Sequence, residues 1–198
     1  MRIPLIDTPI YMAYLVQRFQ SLGGEVEQRE VESLLELAKT NRLIVNCSGA
    51  WAAGLADDSK SFAIRGQIVR IRKPEGLSPE LFSGPWRGEP TYIIPRQNDC
   101  LLGGTKQVDD WNLELDMGMA EGILARCAEF NPTLRDPEIL EHKVGIRPGR
   151  SEVRLEAEQL TPDCLVIHNY GHGEDGHGMA WGCAAEVAEI VVQQNFSQ

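Results

Sequence analysis

The sequence is poor in basic residues and in long apolar stretches, and each deficit excludes a class of protein. Its 19 Lys and Arg residues against 29 Asp and Glu residues give a formal net charge of −10 at pH 7. A surface of that sign repels nucleic-acid phosphates and anionic lipids, so we expect neither nucleic acid nor membrane as a partner. No apolar run approaches the ~18 residues of a membrane span. Residues 1–20 also lack the basic start and apolar core of a secretory signal.

Paired cysteines are lacking as well. The five cysteines are scattered, odd in number and form no CxxC pair: they are Cys47, Cys100, Cys127, Cys164 and Cys183. This distribution is typical of reduced thiols rather than of a disulfide framework. We therefore expect a cytoplasmic protein.

Helix and strand patterns alternate in the first 55 residues, which predicts an α/β fold. A helix is predicted from Thr8 as cap and Pro9 at its first position to Gly23-Gly24. A strand over 25–31, a short helix over 33–39 and a buried strand over 43–46 follow.

The pattern changes at Arg65, where apolar and charged residues alternate up to Arg72 as in a half-exposed antiparallel strand. Further on, the sequence predicts a loop over 74–90, a hairpin of 91–95 and 100–104, a helix over 117–130, and strands at 141–146 and 151–156 around a bend at 147–150. The fold class is therefore α/β with mixed α+β character. It combines an antiparallel or mixed sheet (62–72, 91–105 and 141–156) with a smaller α/β lobe.

The C-terminal part contains a strand (165–169), a glycine-rich loop and a helix predicted over 181–193. Such loops let a backbone approach a ligand closely, and a helix N-terminus offers unpaired N–H groups, although a glycine-rich turn without a ligand fits the same pattern. Three histidines near Glu174 and Asp175 raise the question of a metal. Their spacing matches no closed zinc pattern, and we predict no metal site.

Five motifs in order along the chain resemble D-amino-acid and D-aspartate oxidases. The most specific is His168-Asn169-Tyr170-Gly171-His172-Gly173 with Trp181-Gly182-Cys183-Ala184. The others are Gly145-Ile146-Arg147-Pro148-Gly149-Arg150, the hairpin Thr91-Tyr92-Ile93-Ile94-Pro95 with Leu102-Gly103-Gly104-Thr105, Arg65-Gly66-Gln67, and Val45-Asn46-Cys47-Ser48-Gly49. The resemblance covers residues from about 5 to 194.

The resemblance implies an FAD-dependent enzyme in which a hydride passes from the substrate α-carbon to the flavin. Its catalytic residues would be Arg147, whose planar fork suits the substrate carboxylate, and Tyr92, whose hydroxyl holds the same group. Read without the resemblance, Arg147 fits a surface ion pair and Tyr92 a cross-strand aromatic. The residues that would line the flavin are Val31, Ser48, Gly173, Gly176 and Gly178.

The sequence departs from the family pattern in three places. Residues 1–50 contain no strand–GxGxxG–helix unit, the element that binds the pyrophosphate of a dinucleotide. Glu174 stands near the substrate, where the family has a small residue. Gly88 stands four positions before Tyr92, where many relatives have a second active-site tyrosine.

Two hypotheses follow from this pattern. In the first, the chain is an FAD-dependent D-amino-acid oxidase, as a fragment or split subunit, whose activity requires a completed flavin site. In the second, it is a flavin-free relative that uses the old substrate pocket for another ligand or for non-redox catalysis. We predict a residual flavin lobe (1–55 and 160–198) and a substrate domain (56–159). The expected partners are a small carboxylate such as a D-amino acid and either further copies of the chain or a complementing flavin domain.

Overall fold

The structure is a computed structural model that describes residues 5–194, and it contains two compact units, one up to Val31 and one from Glu32. The first unit contains helix α1 (Thr8–Ser21), which begins after Asp7 and has Pro9 in its first turn, where a missing N–H costs nothing. The strand predicted over 25–31 is wrong. A segment in which apolar and polar residues alternate becomes a strand only if a neighbouring strand supplies backbone hydrogen bonds. None of the described strands pairs with residues 25–31.

Besides two short 3-10 helices (Gly49–Trp51 and Pro132–Leu134), the second unit contains four α-helices and nine strands among the described residues. In chain order they are α2 (Leu34–Ala38), β1 (Leu43–Asn46), α3 (Ala52–Leu55), β2 (Ser61–Arg72), β3 (Phe82–Trp86), β4 (Glu89–Pro95), β5 (Asp99–Gly103), β6 (Gln107–Val108), α4 (Met117–Phe130), β7 (Ile139–Arg150), β8 (Arg154–Thr161), β9 (Cys164–Tyr170) and α5 (Gly176–Gln193). The predicted α/β class with mixed sheets is confirmed.

The larger sheet is built on the long strand β2, which pairs antiparallel with β7, β5 and β6. The predicted bend over 147–150 is wrong, because β7 stays extended to Arg150 by pairing with Ser61–Ile64 of β2. The loop predicted over 74–90 contains strand β3, which pairs with β4. Phe82 and Trp86 of β3 pack on Phe130 of α4, a contact that local sequence does not reveal.

Strand β2 alternates between buried and more exposed residues over 68–72, as predicted, but it is buried without alternation over 63–67. Arg65 is only 2% exposed and donates to the backbone carbonyls of Asn112 and Glu114 at 2.8 and 2.6 Å. The loop before α4 thus covers the polar face of β2. Further along the same face of the strand, Val69 and Ile71 join Ile123 of α4 in the hydrophobic core.

The smaller sheet has the order β1-β9-β8, with β1 and β9 parallel and Asn46 opposite His168. Since β8 pairs with β9, residues 154–156 lie in this sheet and not in the larger one, contrary to the prediction. Helix α5 begins at Gly176, five residues earlier than predicted. Glycine has a low helix propensity, which placed the predicted start later, but it does not prevent a segment from being helical.

The division into a flavin lobe and a substrate domain stays a prediction, and residues 1–4 and 195–198 of that lobe lie outside the described residues. In residues 5–194, none of the helices combines the length and apolar character that a membrane crossing requires.

Candidate functional site

Arg147 and Tyr92 come from different strands of the larger sheet and line the same cavity. Arg147 lies on β7 opposite Ile64, and its Nη1 donates to the backbone oxygen of Thr105 at 3.3 Å. Tyr92 lies on β4 opposite Gly103 of β5. The sheet therefore brings together the two side chains that the motifs single out as catalytic.

Three glycines make room for these side chains. A Cβ added to Gly66 would collide with the guanidinium of Arg147, and a Cβ added to Gly103 would collide with the ring of Tyr92. At Gly104 an added Cβ would lie 2.7 Å from Cε1 of Tyr92. Both side chains thus lie flat on bare backbone, which limits how far they can move towards the sheet.

Glu174 reaches the same cavity from the loop between β9 and α5. The N–H of Gly173 donates to the carbonyl of Pro148 at 2.8 Å, which ties this loop to β7 directly beside Arg147. Gly173 has φ +56, a conformation that glycine adopts without strain. The Glu174 carboxylate is paired with Lys106, Nζ to Oε1 3.3 Å, and both side chains are about half-exposed, at 48% and 47%.

The cavity has a volume of about 530 Å³, within the range of small-molecule sites. The turn between β3 and β4, including Gly88, forms one wall. Its charged lining residues are Arg147, Lys106 and Glu174, so the lining carries a net charge of +1 at neutral pH. A ligand with one net negative charge complements it.

In its described part the structure offers no ion pair that would explain Arg147, whereas it does make Tyr92 a cross-strand aromatic. Among residues 5–194, none of the carboxylates forms an ion pair with Arg147. Tyr92 faces Gly103 across the strands and its ring packs on that glycine, so Tyr92 is a cross-strand aromatic that also lines the cavity. Burial raises the pKa of Tyr92 while the nearby Arg147 opposes that change, so the phenol stays protonated at neutral pH and can donate a hydrogen bond.

Three of the five residues predicted to line the flavin lie in the loop after β9 and at the start of α5, namely Gly173, Gly176 and Gly178. A fourth is Ser48, which follows the parallel strand β1. Its Oγ donates to Oδ1 of the buried Asn46 at 2.5 Å. The fifth, Val31, lies in the first unit, in a segment without helix or strand.

The glycines of this loop leave room for a ligand to approach the backbone. An added Cβ at Gly173 or Gly178 would meet nothing within 4 Å, so open space lies beside both. Asp175, which precedes α5, makes no side-chain capping bond, so the N–H groups of the first turn have no such partner. An ADP moiety finds no comparable site in residues 5–50, where Gly23-Gly24 follows a helix instead of a strand.

Two of the three histidines near this loop, His168 and His172, contact other side chains of the protein. His168 is buried between Asn46 and Glu158, at 3.3 and 3.2 Å, and His172 lies 3.4 Å from the Cys183 sulfur. Within the described residues, no three His, Cys, Asp or Glu side chains are grouped so that they could hold a metal ion.

Sequence reasoning missed Lys106 and the role of Gly66. Lys106 directly follows the Leu-Gly-Gly-Thr motif. A single basic residue directly after a buried hairpin strand is the sequence feature that could have identified it as a site residue. Gly66 lies inside a recognised motif, but its function depends on the side chain that crosses it from β7. That neighbour is known only from the strand register.

The comparisons with known proteins agree with these motifs. The family described as "FAD dependent oxidoreductase" matches residues 5–190. A D-amino-acid oxidase of Rubrobacter xylanophilus is 46% identical over 187 residues, which cover 94% of this chain and 57% of that protein. A D-aspartate oxidase of Homo sapiens is 39% identical over 188 residues, with 93% and 54% covered. The chain thus spans a little over half the length of these curated relatives.

Solved structures share the fold. A glycine oxidase from Geobacillus kaustophilus superposes with a TM-score of 0.67 and 23% identity over 76% of this chain and 41% of that one. An L-proline dehydrogenase from P. horikoshii gives a TM-score of 0.59 at 16% identity, with 77% and 43% covered. At these identities the likeness concerns the fold alone.

Proposed function

This chain belongs to the family of FAD-dependent oxidoreductases, and we propose that it forms the substrate-binding part of a D-amino-acid oxidase. The reaction would be the oxidative deamination of a D-amino acid. The observation that carries the proposal is the meeting of Arg147 and Tyr92 at one cavity, with no carboxylate of the described residues paired to Arg147.

Arg147 would bind the α-carboxylate of the substrate. A guanidinium donates two parallel hydrogen bonds to a carboxylate, which fixes its plane as well as its position. Tyr92 would donate a further bond, since its raised pKa keeps the hydroxyl protonated. Glu174, which lines the same cavity, would accept hydrogen bonds from the α-ammonium group. These contacts orient the α-carbon, the contribution that positioning makes to catalysis.

FAD, when bound, accepts the hydride that leaves the substrate α-carbon. The residues of the second unit that would hold its isoalloxazine end are Ser48, Gly173, Gly176 and Gly178. The uncapped N-terminus of α5 favours negative charge near the ring. The bond from Gly173 to Pro148 joins this loop to the strand that carries Arg147, so the cofactor and substrate sites share one support.

The ion pair between Lys106 and Glu174 favours a second candidate function, in which the pocket binds another ligand without flavin. The absorbance spectrum of the purified 198-residue chain separates the two functions.

We expect this chain to bind FAD with a dissociation constant above ~10 μM, because residues 5–50 offer no pyrophosphate site. Each 1.4 kcal/mol of binding free energy that is lost weakens the affinity about tenfold. Oxidase turnover would then require an added flavin-binding segment. Stoichiometric FAD in the purified chain would contradict this expectation, and turnover that no such segment restores would favour the flavin-free function.

We also propose that the smaller sheet receives a partner, either a complementing flavin domain or a second copy of the chain. Among the described strands, β1 pairs only with β9, so its other edge has no described neighbour. Val45 on β1 and the nearby Trp51 are 41% and 60% exposed. Open edges and exposed apolar side chains favour association. Light scattering of the chain alone would give a dimer or larger, and a monomer at all concentrations would refute self-association.

The proposed pocket is tested by carboxylate binding to the Arg147→Ala and Arg147→Lys variants. Removing the guanidinium should weaken binding of benzoate or D-alanine by about 2–5 kcal/mol, and lysine should recover part of this. Arg72→Ala, which removes an exposed arginine paired with Glu138, is the matched control. If both Arg147 variants bind as tightly as the wild type in calorimetry, the pocket is wrongly assigned.

A further inference from the structure

We propose that Asn46 and His168 are positioning residues that set the Ser48 hydroxyl as a hydrogen-bond acceptor for a donor group of the flavin. The inference rests on the proposed function, in which Ser48 lines the isoalloxazine end of FAD. It adds the direction of that hydrogen bond and two buried residues that determine it. The donors that a flavin offers are the N–H of its ring and the hydroxyl groups of its ribityl chain.

Ser48 lies at the edge of the smaller sheet at which the glycine-rich loop begins. Strands β1 and β9 are parallel, so their C-terminal ends lie at the same edge. Ser48 is the second residue after β1, and the loop that contains Gly173 starts directly after β9. Ligands of α/β proteins bind outside the C-terminal ends of parallel strands. Ser48 is exposed there, whereas Asn46 and His168 are only 4% and 2% exposed.

The orientation of the Asn46 amide follows from its two bonds with Ser48. The backbone nitrogen and Oγ of Ser48 lie 3.3 and 2.5 Å from the same atom, Oδ1 of Asn46. A backbone N–H can only donate, so this atom is the amide oxygen, and the hydroxyl donates its single proton to it as well. The lone pairs of Oγ remain for a ligand, because among the described residues none donates to this oxygen.

His168 holds the Asn46 amide in this orientation. Nδ2 of Asn46 lies 3.3 Å from Nδ1 of His168, and since an amide nitrogen can only donate, Nδ1 carries no proton. The proton of the neutral ring is then on Nε2, which donates to Oε2 of Glu158 at 3.2 Å. Nη2 of Arg154 donates to the same carboxylate oxygen at 2.8 Å and holds it in place. Every bond from Ser48 to Glu158 therefore points in the same direction.

The surroundings of His168 favour the neutral ring that this arrangement requires. Burial lowers the pKa of His168 and Arg154 lowers it further, while Glu158 and Glu156 oppose the change. The pKa stays below its ordinary value, so the ring is neutral at neutral pH. A protonated ring would turn Nδ1 into a donor that faces the amide N–H of Asn46, and the hydrogen bond between them would be lost.

Nitrogen NMR of the histidine rings tests this chain of bonds without any ligand. In the 198-residue chain at neutral pH, His168 should carry its proton on Nε2 alone, and its signals are identified by their loss in His168→Gln. Asn46→Asp replaces the amide nitrogen with an oxygen, so it should bring a proton to Nδ1. A proton on Nδ1 in the wild type would overturn the inference.

Riboflavin is the probe for the Ser48 end, because it carries the isoalloxazine ring and the ribityl hydroxyls without the ADP moiety. In a fluorescence titration, Ser48→Ala should weaken its binding about two- to tenfold, the equivalent of one neutral hydrogen bond. His168→Leu should weaken binding as well, and His168→Gln should restore it, since a glutamine oxygen can accept from Asn46. In the Ser48→Ala background, His168→Leu should have no further effect, because it acts through the hydroxyl.

The results separate this inference from the proposed function. If His168→Leu weakens binding equally with and without the Ser48 hydroxyl, His168 is a packing residue and the inference is wrong. Unchanged affinity in Ser48→Ala also overturns it, while the proposed pocket survives if Arg147→Ala still weakens carboxylate binding. If the wild type binds neither riboflavin nor FAD, the inference and the flavin-dependent function both fail. The wild-type NMR spectrum needs no folded variant, so a misfolded His168→Leu protein does not block the test.

Discussion

Asp58→Asn should destabilise the fold, because Asp58 joins the two strands that support the site. Its Oδ2 accepts from Nε of Arg150, at the end of β7, and from the Tyr170 hydroxyl, at the end of β9, both at 2.9 Å. The side chains of Asp58 and Arg150 are only 6% and 10% exposed. One carboxylate therefore connects the strand of Arg147 with the strand that leads to Glu174.

The magnitude follows from the pKa of Asp58. Burial alone would raise this pKa, but hydrogen bonds from the Lys60 N–H, Tyr170 and Arg150 outweigh burial and lower it from 3.8 to about 2. A lowered folded-state pKa stabilises the protein above the ordinary pKa, and this stabilisation is lost as the pH falls from about 4 through about 2. The difference corresponds to about 2 kcal/mol. Asp58→Asn also leaves Arg150 as an unpaired buried charge, so we expect a loss of about 2–4 kcal/mol at pH 7.

Urea unfolding followed by tryptophan fluorescence measures this loss, since Trp51, Trp86, Trp111 and Trp181 all lie in the second unit. Asp57→Asn is the control, because Asp57 is exposed and asparagine tolerates its φ of +48. The gap between wild type and Asp58→Asn should narrow between pH 4 and about pH 2. A loss below about 0.5 kcal/mol at pH 7, within the range of ordinary surface substitutions, would refute the reasoning.

Two further predictions concern the cavity. Tyr92→Phe should retain the fold and reduce the affinity for a D-amino acid by about 0.5–1.5 kcal/mol in calorimetry, the contribution of one neutral hydrogen bond. A large loss of stability with unchanged affinity would make Tyr92 a packing residue. Gly66→Ala should displace Arg147 and weaken carboxylate binding by about 1–3 kcal/mol, whereas Gly145→Ala on the paired strand meets nothing within 4 Å and should bind normally. Equal affinities for these two alanine variants would show that Arg147 does not depend on the bare backbone of Gly66.

Elements with local start and stop signals were predicted well from the sequence. Helix α4 matches its predicted range of 117–130, because Asp116 accepts the N–H of Met119 at its start and Asn131-Pro132 follows its end. Strand β1 matches its short apolar run. In both cases the deciding contacts lie within a few residues along the chain.

Elements that depend on distant neighbours were predicted poorly. Strand β3 forms because β4 pairs with it and Phe130 packs on it, and the segment 25–31 fails to form a strand because no described strand pairs with it. The burial of Arg65 likewise depends on carbonyls from a loop more than forty residues away in sequence. Propensity and alternation carry no information about such partners.

The motifs of the sequence by themselves determined the family and singled out Arg147 and Tyr92 as the proposed donors to a substrate carboxylate. Only the tertiary structure decided that Lys106 pairs with Glu174 in the lining of the cavity, and that Gly66 and Gly103 leave room for the side chains of Arg147 and Tyr92. Strand register and loop anchoring set the distances between these residues, and both depend on backbone pairing between segments far apart in sequence. The role of a charged residue or a glycine therefore depends on which side chain the fold places against it.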